Sequence, residues 1–380
     1  MNLLFYTQAS NSPLFGGVQR VSILLAKQFV QKGWNVYSLS TSVDGEFCYT
    51  DCFSLPEPDI KSEKNVEFLR SLVDSLKIDA IIVTLITHPI ALYTIRNLNR
   101  KVVVISHFHF SPKGIYSSVF RYRDRWFSKS RLFHFLAFQY NRIKLQPLFK
   151  EVDSVSDRIV LLDRHFVKEI KQFHHFSKDK LAVINNPLTY PQQPFNVEGK
   201  EKIVLWVGRI SEEEKRISSL LNIWRLASPR MPDWKLIIVG GGNELDYWKS
   251  KAVSMGLCRY EFVGRTDPGS YYESASIYTL TSNTEAWPMC LLEAMSRSCS
   301  PILFNSFESA KSIINNKECG VLVNPFNDRE FARELIKLSE NDKLRRKIAY
   351  NANNRCSNFS IEEIVKRWES LLKSRICSSN

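Results

Sequence analysis

The stretch IYTLTSNTEAWPMCLLEAM, Ile277–Met295, is typical of a buried strand, a polar loop and a helix in direct succession. Pro288 suits the first turn of that helix, because its missing backbone N–H would have no partner there. The free N–H groups from Met289 onward then form a natural phosphate site. A strand followed at once by a helix is the repeating unit of a parallel sheet, whose ligands bind beyond the carboxyl ends of the strands.

Two carboxylates flank this junction. Glu285 at the strand end could accept hydrogen bonds from sugar hydroxyls, and Glu293 in the second helical turn could accept them from a vicinal diol such as ribose. The alternative is a solvated loop glutamate and a glutamate on the helix surface. Because Glu293 lies within the apolar run CLLEAM, where an unpaired charge is costly, we favour the functional interpretation.

Short apolar strands alternate with helices along the whole chain, which predicts two doubly wound α/β domains with parallel sheets. The Pro-rich segment NNPLTYPQQPFNVEGK separates the two series. We predict domains at 1–190 and 191–358 with a ligand cleft between them, and a C-terminal helix at 359–380 that packs back toward the first domain. The predicted strands are LLFYT, NVYSLS, DAIIVT, KVVVIS, RIVLL and LAVIN in the first domain, and IVLWVG, KLIIVG, RYEFVG, SIYTLT, PILF and GVLV in the second.

The composition is that of a soluble globular protein of 380 residues, with 44% hydrophobic and 24% charged residues. No membrane span is predicted, since the apolar run AIIVTLITHPIALYTI is interrupted by His88 and Pro89. The N-terminus lacks the features of a signal peptide. Eight scattered cysteines without a Cys-x-x-Cys pair favour reduced, buried thiols, such as Cys258, Cys290 and Cys299, in a cytosolic protein.

The positive charge is uneven. The chain has 52 Lys and Arg against 39 Asp and Glu, and residues 101–200 hold 17 basic and 8 acidic residues, which favours an anionic partner. Lys113–Lys150 contains nine basic residues, one acid and ten aromatics. This region is either a surface that docks on an anionic membrane or receives a lipid-linked acceptor, or a core helix with a basic solvent side. No recognised motif supports nucleic-acid binding.

The segment VGRISEEEKRI places Arg209 and Lys215 just after a strand end. Cations held there could neutralise a diphosphate as it leaves. The alternative, which is favoured when this segment is taken alone, is a polar loop in which Glu212–Glu214 pair locally with Lys215 and Arg216.

Two glycine-rich turns follow strands. In LFGGVQRV, Gly16 and Gly17 allow a ligand to approach the backbone closely, although they could equally form a simple helix-entry turn. In IIVGGGNEL, Gly240 and Gly242 suggest dinucleotide binding, but Leu245 occupies the place of the third small residue. We interpret this second segment as a tight turn near the donor site.

The segment SHFHFSP places His107 and His109 at the end of the strand KVVVIS, where a histidine could contact a reacting sugar. Residues at i and i+2 of a strand share one face, which is also compatible with metal binding. No third ligand is evident and no Asp-x-Asp pair occurs, so we predict no metal site.

Together these motifs resemble glycosyltransferase family 4, the retaining enzymes of the GT-B fold (glycosyl transferases group 1). The resemblance spans nearly the whole chain. Glu285 and Glu293 are similar to the family's Glu-x7-Glu motif, and HFS at 109–111 is similar to hexosyltransferases of the lipopolysaccharide core. The other matching segments are VGRI with Lys215, WKLIIVGGG, YEFVGRT, YYESASIYTLTSNTEAWPMCLLEAM, CGVLVNPFND, GGVQRV and NNP at 185–187.

The resemblance implies two Rossmann-like domains, of which the first binds the acceptor and the second the nucleotide-sugar. Arg209 and Lys215 would hold the donor diphosphate, Glu293 the nucleoside ribose, and His109 would lie near the anomeric carbon. The remaining implied donor-binding residues are Glu285, Ala286, Trp287, Pro288, Met289, Gly16 and Gly17.

The implied reaction is metal-independent transfer of a hexose with retention, from a nucleotide-sugar to a glycan or lipid-linked acceptor of the cell envelope. UDP is the first expected nucleotide and GDP the next. The protein would act in the cytoplasm, either free or as a peripheral protein at the inner face of the membrane. Rate would come from positioning and from stabilising the departing phosphate charge.

The chain departs from the family pattern at three places. Ala286 and Ser298 replace usual glycines, and SFESAKSII lacks the glycine expected near residue 309. Two other hypotheses therefore stay open: a GT-B nucleotide-sugar epimerase or hydrolase, and a non-catalytic protein that binds a membrane or a partner. A Rossmann oxidoreductase is the least favoured, because the second domain has no intact dinucleotide fingerprint.

Overall fold

The computed structural model describes most of the chain as two compact units. Unit 1 comprises Met1–Thr189 and Ile361–Asn380, and unit 2 comprises Tyr190–Ser360. The change from one unit to the other at residue 189 lies inside the Pro-rich segment. The described residues are 1–7, 16–41, 49–84, 86–99, 101–112, 131–315 and 318–379, with only the backbone described at 131–135, 137 and 375–379.

Unit 1 is built on a seven-stranded sheet in the order β3-β2-β1-β4-β5-β6-β7, in which every neighbouring pair is parallel. The strands are β1 (Asn2–Tyr6), β2 (Asn35–Ser40), β3 (Asp51–Ser54), β4 (Ala80–Val83), β5 (Val103–His107), β6 (Arg158–Leu161) and β7 (Leu181–Val183). The α-helices are α1 (Gly17–Gln31), α2 (Glu63–Ser75), α3 (Pro89–Arg96), α4 (Arg131–Val155), α5 (Arg164–Ile170) and, after unit 2, α14 (Ile361–Ser379). A 3-10 turn spans Lys178–Lys180.

The helices of unit 1 follow the apolar spacing of the sequence. In α1, Val21, Leu25 and Phe29 are buried on one face, and the chain leaves the helix through Gly33 at φ 79°. The buried strands β1 and β4 form the centre of the sheet. Strand β3 was not predicted, because Asp51–Ser54 is short and only partly buried at the sheet edge.

Unit 2 is built on a six-stranded parallel sheet in the order β10-β9-β8-β11-β12-β13. The strands are β8 (Glu201–Val207), β9 (Lys235–Val239), β10 (Tyr260–Gly264), β11 (Ala275–Leu280), β12 (Ser300–Phe304) and β13 (Val321–Val323). The α-helices are α6 (Glu212–Lys215), α7 (Ile217–Ala227), α8 (Leu245–Ser254), α9 (Gly269–Ser274), α10 (Met289–Ser296), α11 (Glu308–Ile314), α12 (Asp328–Glu340) and α13 (Asp342–Arg355). Two 3-10 turns span Ser228–Arg230 and Cys356–Phe359.

The strand order reverses in the middle of each sheet, between β1 and β4 in unit 1 and between β8 and β11 in unit 2. In doubly wound folds, ligands bind beyond the carboxyl ends of the strands at such a switch point. The loops that follow β8 and β11 are therefore the first place to look for a ligand site in unit 2. The two parallel α/β sheets confirm the predicted fold class.

The cysteines agree only partly with the prediction of buried thiols. Cys299 is buried and Cys290 is half-buried, but Cys258 is exposed, because it lies in the turn before the edge strand β10. The prediction was wrong for Cys258, since its apolar neighbours in sequence do not lie on a buried strand.

Candidate active site

A buried ion pair lies at the switch point of unit 2. Lys215 Nζ contacts Glu285 Oε1, and their side chains are only 15% and 13% exposed. Ser282 Oγ donates a 2.7 Å hydrogen bond to the same carboxylate oxygen. Burial by itself disfavours the charge on Lys215, but the facing Glu285 carboxylate outweighs this and raises the pKa of Lys215 above its ordinary value. The lysine therefore stays protonated.

Hydrogen bonds between the loops after β8 and β11 hold this pair in place. Thr281 Oγ1 donates to the carbonyl of Lys215 (2.9 Å), and Asn283 N donates to the carbonyl of Glu214 (2.8 Å). Asn283 Nδ2 donates to the carbonyl of Glu213 at 2.8 Å. The short helix α6 is thus fixed to the end of β11, which directs Lys215 at a glutamate 70 residues away.

The prediction that Glu212–Glu214 pair with Lys215 and Arg216 was wrong for Lys215. Arg209 instead occupies that local role, with its Nη2 3.5 Å from Glu214 Oε2. Arg209 is 69% exposed, so this is a solvated pair of little energetic weight. Its guanidinium remains available to a ligand at the same strand end.

The glycines of IIVGGGNEL are required by backbone packing. A Cβ on Gly240 would lie 1.7 Å from the carbonyl oxygen of Gly208, and one on Gly242 would lie 2.4 Å from that of Ile210. Ile210 N donates to the carbonyl of Gly241 at 2.8 Å. The loop that carries Arg209 is therefore joined to the loop after β9, and these glycines serve packing, as expected for a tight turn.

Glu293 is 2% exposed and lies in the second turn of α10, as predicted. Its carboxylate accepts a 2.8 Å hydrogen bond from the hydroxyl of Tyr272, which is itself fully buried. Burial and the neighbouring Glu293 raise the pKa of Tyr272 well above its ordinary value, so the hydroxyl remains a donor. Glu293 is thus held inside the unit by a neutral tyrosine.

The start of α10 differs slightly from the prediction. Pro288 lies at the N-cap rather than in the first turn, and Met289 is the first helical residue. No side chain caps this helix end. Ala286 is half-buried, while Trp287 is 5% exposed and packs edge-on against Phe359 with ring centroids 5.3 Å apart.

Cys290, in the first turn of α10, is close enough to Lys215 and Glu285 for their charges to affect its thiol. Burial raises the pKa of Cys290 to about 11, with Lys215 opposing the shift. The buried hydroxyl of Tyr278, on β11, lies beside this thiol. The ion pair and the start of α10 therefore form one polar cluster, in which Cys290 stays a neutral thiol.

The structure explains one of the three departures from the family pattern. Ser298 adopts φ 61°, a left-handed conformation that favours glycine. Its N–H donates to the carbonyl of Met295 and that of Cys299 to Ala294, which closes the end of α10. The Ser298 hydroxyl accepts a 3.1 Å hydrogen bond from Asn196 N, which offsets the strain.

The other two departures are Ala286 and the segment SFESAKSII. Ser309 is fully buried within α11, and its hydroxyl has no hydrogen-bond partner among the described residues. Nothing in the structure explains why this segment lacks a glycine. Ala286 is likewise unexplained.

In unit 1, His107 and His109 lie together at the carboxyl end of β5. Their ring centroids are 3.9 Å apart, and the His107 ring packs edge-on against Trp368 of α14. Both nitrogens of His109 are buried without a partner in the described part of the chain. Burial lowers the pKa of His109 to about 3 and that of His107 well below its ordinary value, so both rings are neutral.

The other predicted residues of unit 1, two glycines, lie at the start of α1. Gly16 is the N-cap of α1 at φ 142°, and Gly17 begins the helix; both are exposed.

A small cavity at the ends of β1 and β2 is lined by Thr7, Thr41, His88 and neighbouring residues. Residues 113–130 of the predicted basic region lie outside the described residues, and the rest of that region belongs to α4.

The sequence analysis missed the residues that position the predicted ones. Thr281, Ser282 and Asn283 hold the ion pair, and Tyr272 holds Glu293. The available signal was the polar run TSN directly after an apolar strand, because buried polar groups at a strand end need partners.

The arrangement in unit 2 can bind an anion. A protonated lysine, an exposed arginine and an uncapped helix start lie on elements that meet at one sheet edge, and each favours a phosphate group. Across the described ranges, no group of three or more His, Cys, Asp or Glu side chains could hold a metal ion. No described helix is long and apolar enough to cross a membrane.

Comparison with known families identifies the class. The family model described as "Glycosyl transferases group 1" matches residues 191–355, and that described as "Glycosyltransferase Family 4" matches residues 15–189. Together they cover most of the chain, which belongs to this family of glycosyltransferases and has its GT-B fold. The chain is therefore a transferase, which confirms the resemblance found in the sequence.

Individual relatives agree with this class. An uncharacterized glycosyltransferase of Haemophilus influenzae is 27% identical over 370 residues, covering 94% of this chain and 96% of that protein. A Campylobacter jejuni α-1,4-N-acetyl-D-galactosaminyltransferase, which acts on a diphospho-undecaprenol-linked saccharide, is 28% identical over 46% of this chain and 48% of its own length. The crystal structure of Anabaena HepE with UDP and glucose aligns with TM-score 0.75 and 16% identity, over 98% of this chain and all of HepE.

Proposed function

We propose that this protein is a retaining glycosyltransferase that moves a hexose from a UDP-sugar to a glycan or lipid-linked acceptor of the cell envelope. The observation that carries the proposal is the buried Lys215–Glu285 pair at the switch point of unit 2, beside the uncapped start of α10. We propose further that the protein acts at the cytoplasmic side of the membrane and needs no metal.

Lys215 is the residue that we assign to the donor diphosphate. Its ammonium group has three donors, so it can keep one bond to Glu285 and give another to a phosphate oxygen. Because the pair is neutral before the donor arrives, the enzyme holds its lysine charged and oriented without exposing an uncompensated cation. Arg209 adds a second positive charge. Because its side chain is 69% exposed, its guanidinium can turn toward the ligand.

These cations act on charge that develops during the reaction. When the bond between the anomeric carbon and the phosphate oxygen breaks, the electron pair goes to the departing diphosphate. Donors that are already in place stabilise this charge without further reorganisation. The acceptor hydroxyl oxygen then bonds to the anomeric carbon on the face that the nucleotide leaves, and its proton passes to the departing phosphate oxygen, which gives retention. Glu285 would hold the donor sugar and Glu293 the ribose.

The relatives support the substrate classes. UDP and glucose are bound in the Anabaena HepE crystal, and the Campylobacter relative acts on an undecaprenol-linked saccharide. A UDP-hexose donor and a lipid-linked acceptor are therefore the first compounds to test. His109, whose neutral ring nitrogens lack partners in the described part of unit 1, is the residue that we propose to contact the reacting sugar.

The test is a thermal-shift screen against UDP-, GDP- and ADP-glucose, with and without EDTA. We expect a rise in Tm with UDP-glucose that EDTA does not remove, because a ligand stabilises the folded state that binds it. Lys215→Met should abolish the rise. Lys235→Met is the matched control, since Lys235 pairs with Glu261 on the exposed β9–β10 edge of the same unit.

The reaction itself is followed by NMR of the anomeric proton with an undecaprenyl-diphosphate-linked saccharide as the acceptor. Transfer with an α-linked product supports a retaining enzyme. Release of free sugar without acceptor would indicate a hydrolase. In the thermal-shift screen, an equal rise in Tm for the Lys215→Met and Lys235→Met variants would show that Lys215 is not part of the donor site.

A further inference from the structure

The helix α4 carries a stripe of large apolar side chains that faces solvent. Leu136, Tyr140 and Ile143 are 57%, 66% and 71% exposed. At about 100° per residue they fall within roughly 60° of one another on the helix. Buried Asn141 and Phe149 lie on the opposite side. This exposed stripe is therefore a second face of the helix, separate from the one that packs on the unit.

Such an arrangement is unusual within this chain. Nine large hydrophobic side chains are exposed among the described residues, and three of them lie in these eight residues of α4. The two on α8, Tyr247 and Val253, are six residues apart and therefore about 120° apart, so they form no stripe. Single exposed apolar residues are ordinary, whereas a contiguous set marks an interaction surface.

The charges around the stripe have one sign. Lys144 and Lys150 are exposed and lie about 70° and 50° to either side of the middle of the stripe, whereas exposed Arg142 lies about 130° away from it. Residues 131–150 contain no acidic residue, and the first acid of the helix, Glu151, already lies 3.9 Å from Arg96. An apolar stripe bordered by lysines is the pattern of a helix that lies in the interface of an anionic membrane.

We propose that the face of α4 formed by Leu136, Tyr140, Ile143, Lys144 and Lys150 docks on an anionic lipid surface. A second copy of the chain is a poorer occupant, because a symmetric contact would bring like basic residues together. This inference deepens the proposed function, since a lipid-linked acceptor lies at such a surface. Docking would place unit 1 against the membrane without a spanning helix.

The experiment is flotation of the full chain with vesicles of phosphatidylcholine alone or mixed with phosphatidylglycerol, at low and high salt. We expect binding to the anionic vesicles that weakens as salt screens the charges. Tyr140→Ser with Ile143→Ser should lower the partition coefficient about tenfold or more. Lys144→Gln with Lys150→Gln should lower it roughly 25-fold, about fivefold for each charge removed.

The matched control is Tyr247→Ser with Val253→Ser, which removes side chains of similar exposure, 63% and 71%, from outside the stripe. Its vesicle binding should equal that of the wild type. All variants should keep the wild-type Tm and the shift with UDP-glucose, so that loss of docking is distinguished from loss of the donor site.

Three results would overturn the proposal. The first is equal binding of wild type and the Tyr140/Ile143 variant to anionic vesicles, and the second is no binding of the wild type at low salt. The third comes from sedimentation without vesicles: a wild-type dimer that the same variant converts to a monomer would make the stripe an interface between copies.

Discussion

The Lys215–Glu285 pair allows a quantitative test by a double-mutant cycle with Lys215→Met, Glu285→Gln and both together. Unit charges about 4 Å apart attract by about 4 kcal/mol at an effective dielectric constant of 20. Desolvation of two side chains that are 15% and 13% exposed offsets part of this attraction. We expect a coupling of about 2 kcal/mol in the free energy of unfolding.

Each single variant should be more destabilising than the coupling alone suggests, because it leaves one charge buried. Lys215→Met leaves Glu285 with the Ser282 hydroxyl as its donor, and should cost about 2–4 kcal/mol. The assay is urea unfolding at low ionic strength, with the transition of unit 2 fitted separately in case the units unfold apart.

The Lys235–Glu261 pair is the matched control, since its side chains are each 47% exposed. Its coupling should stay below about 1 kcal/mol. If the coupling of Lys215 with Glu285 is no larger, the inference that burial makes this pair a preformed charged site is wrong.

The same pair makes a prediction about alkaline pH. The pKa of Lys215 is raised in the folded protein, so the folded state holds this proton more tightly than the unfolded state. The stability from the pair is therefore complete below about pH 10.5 and is lost as pH rises through the folded pKa. Unfolding from pH 9 to 12 should show this loss in the wild type and a smaller loss in the double variant.

Three further predictions concern other parts of the two units. Gly240→Ala should lower the free energy of unfolding by more than about 3 kcal/mol, because the added Cβ would lie 1.7 Å from the Gly208 carbonyl oxygen. The control is Gly256→Ala, at φ 66° with no atom within 4 Å of the added Cβ, which should cost only about 1 kcal/mol in the same thermal unfolding assay. Tyr272→Phe should lower the free energy of unfolding by about 1–3 kcal/mol and raise the KM for the donor, because the buried Glu293 carboxylate loses a hydrogen bond. An unchanged KM would show that this hydrogen bond plays no part in donor binding. The pKa of His109 is lowered to about 3 in the folded protein, so the stability it contributes is complete above pH 6.5 and is lost as pH falls toward 3. His109→Phe should therefore weaken the fall in unfolding free energy over this acid range. An unchanged fall would contradict the argument that burial keeps this ring neutral.

The sequence predicted the order of strands and helices well, because their signals are local. Buried strands such as β4 and β11 are continuous apolar runs, and α1 shows its core face in the spacing of Val21, Leu25 and Phe29. Strand β3 escaped notice because a short, half-exposed edge strand carries little hydrophobic signal. The start of α10 was placed one residue too early, because a proline marks the start of a helix only to within a residue or so.

The pairing of side chains could not be predicted in the same way. Lys215 has three glutamates just before it in sequence, yet its partner lies 70 residues away, because the folded loops decide which carboxylate it faces. Similarly, the partner of Glu293 is Tyr272, on a different helix. For α4, the structure shows a packed side with Asn141 and Phe149 and a basic solvent side, while docking on an anionic membrane stays a prediction.

The division of unit 1 has a consequence for how the protein is made. Its first 189 residues leave the ribosome long before α14, which begins at Ile361 and supplies Trp368 to the His107 ring. The intervening 190–360 segment takes about 10–30 s to translate at 5–20 residues per second. Unit 2 can therefore complete its fold while the nascent unit 1 still lacks a helix, and that incomplete unit is the form most exposed to chaperones and proteases.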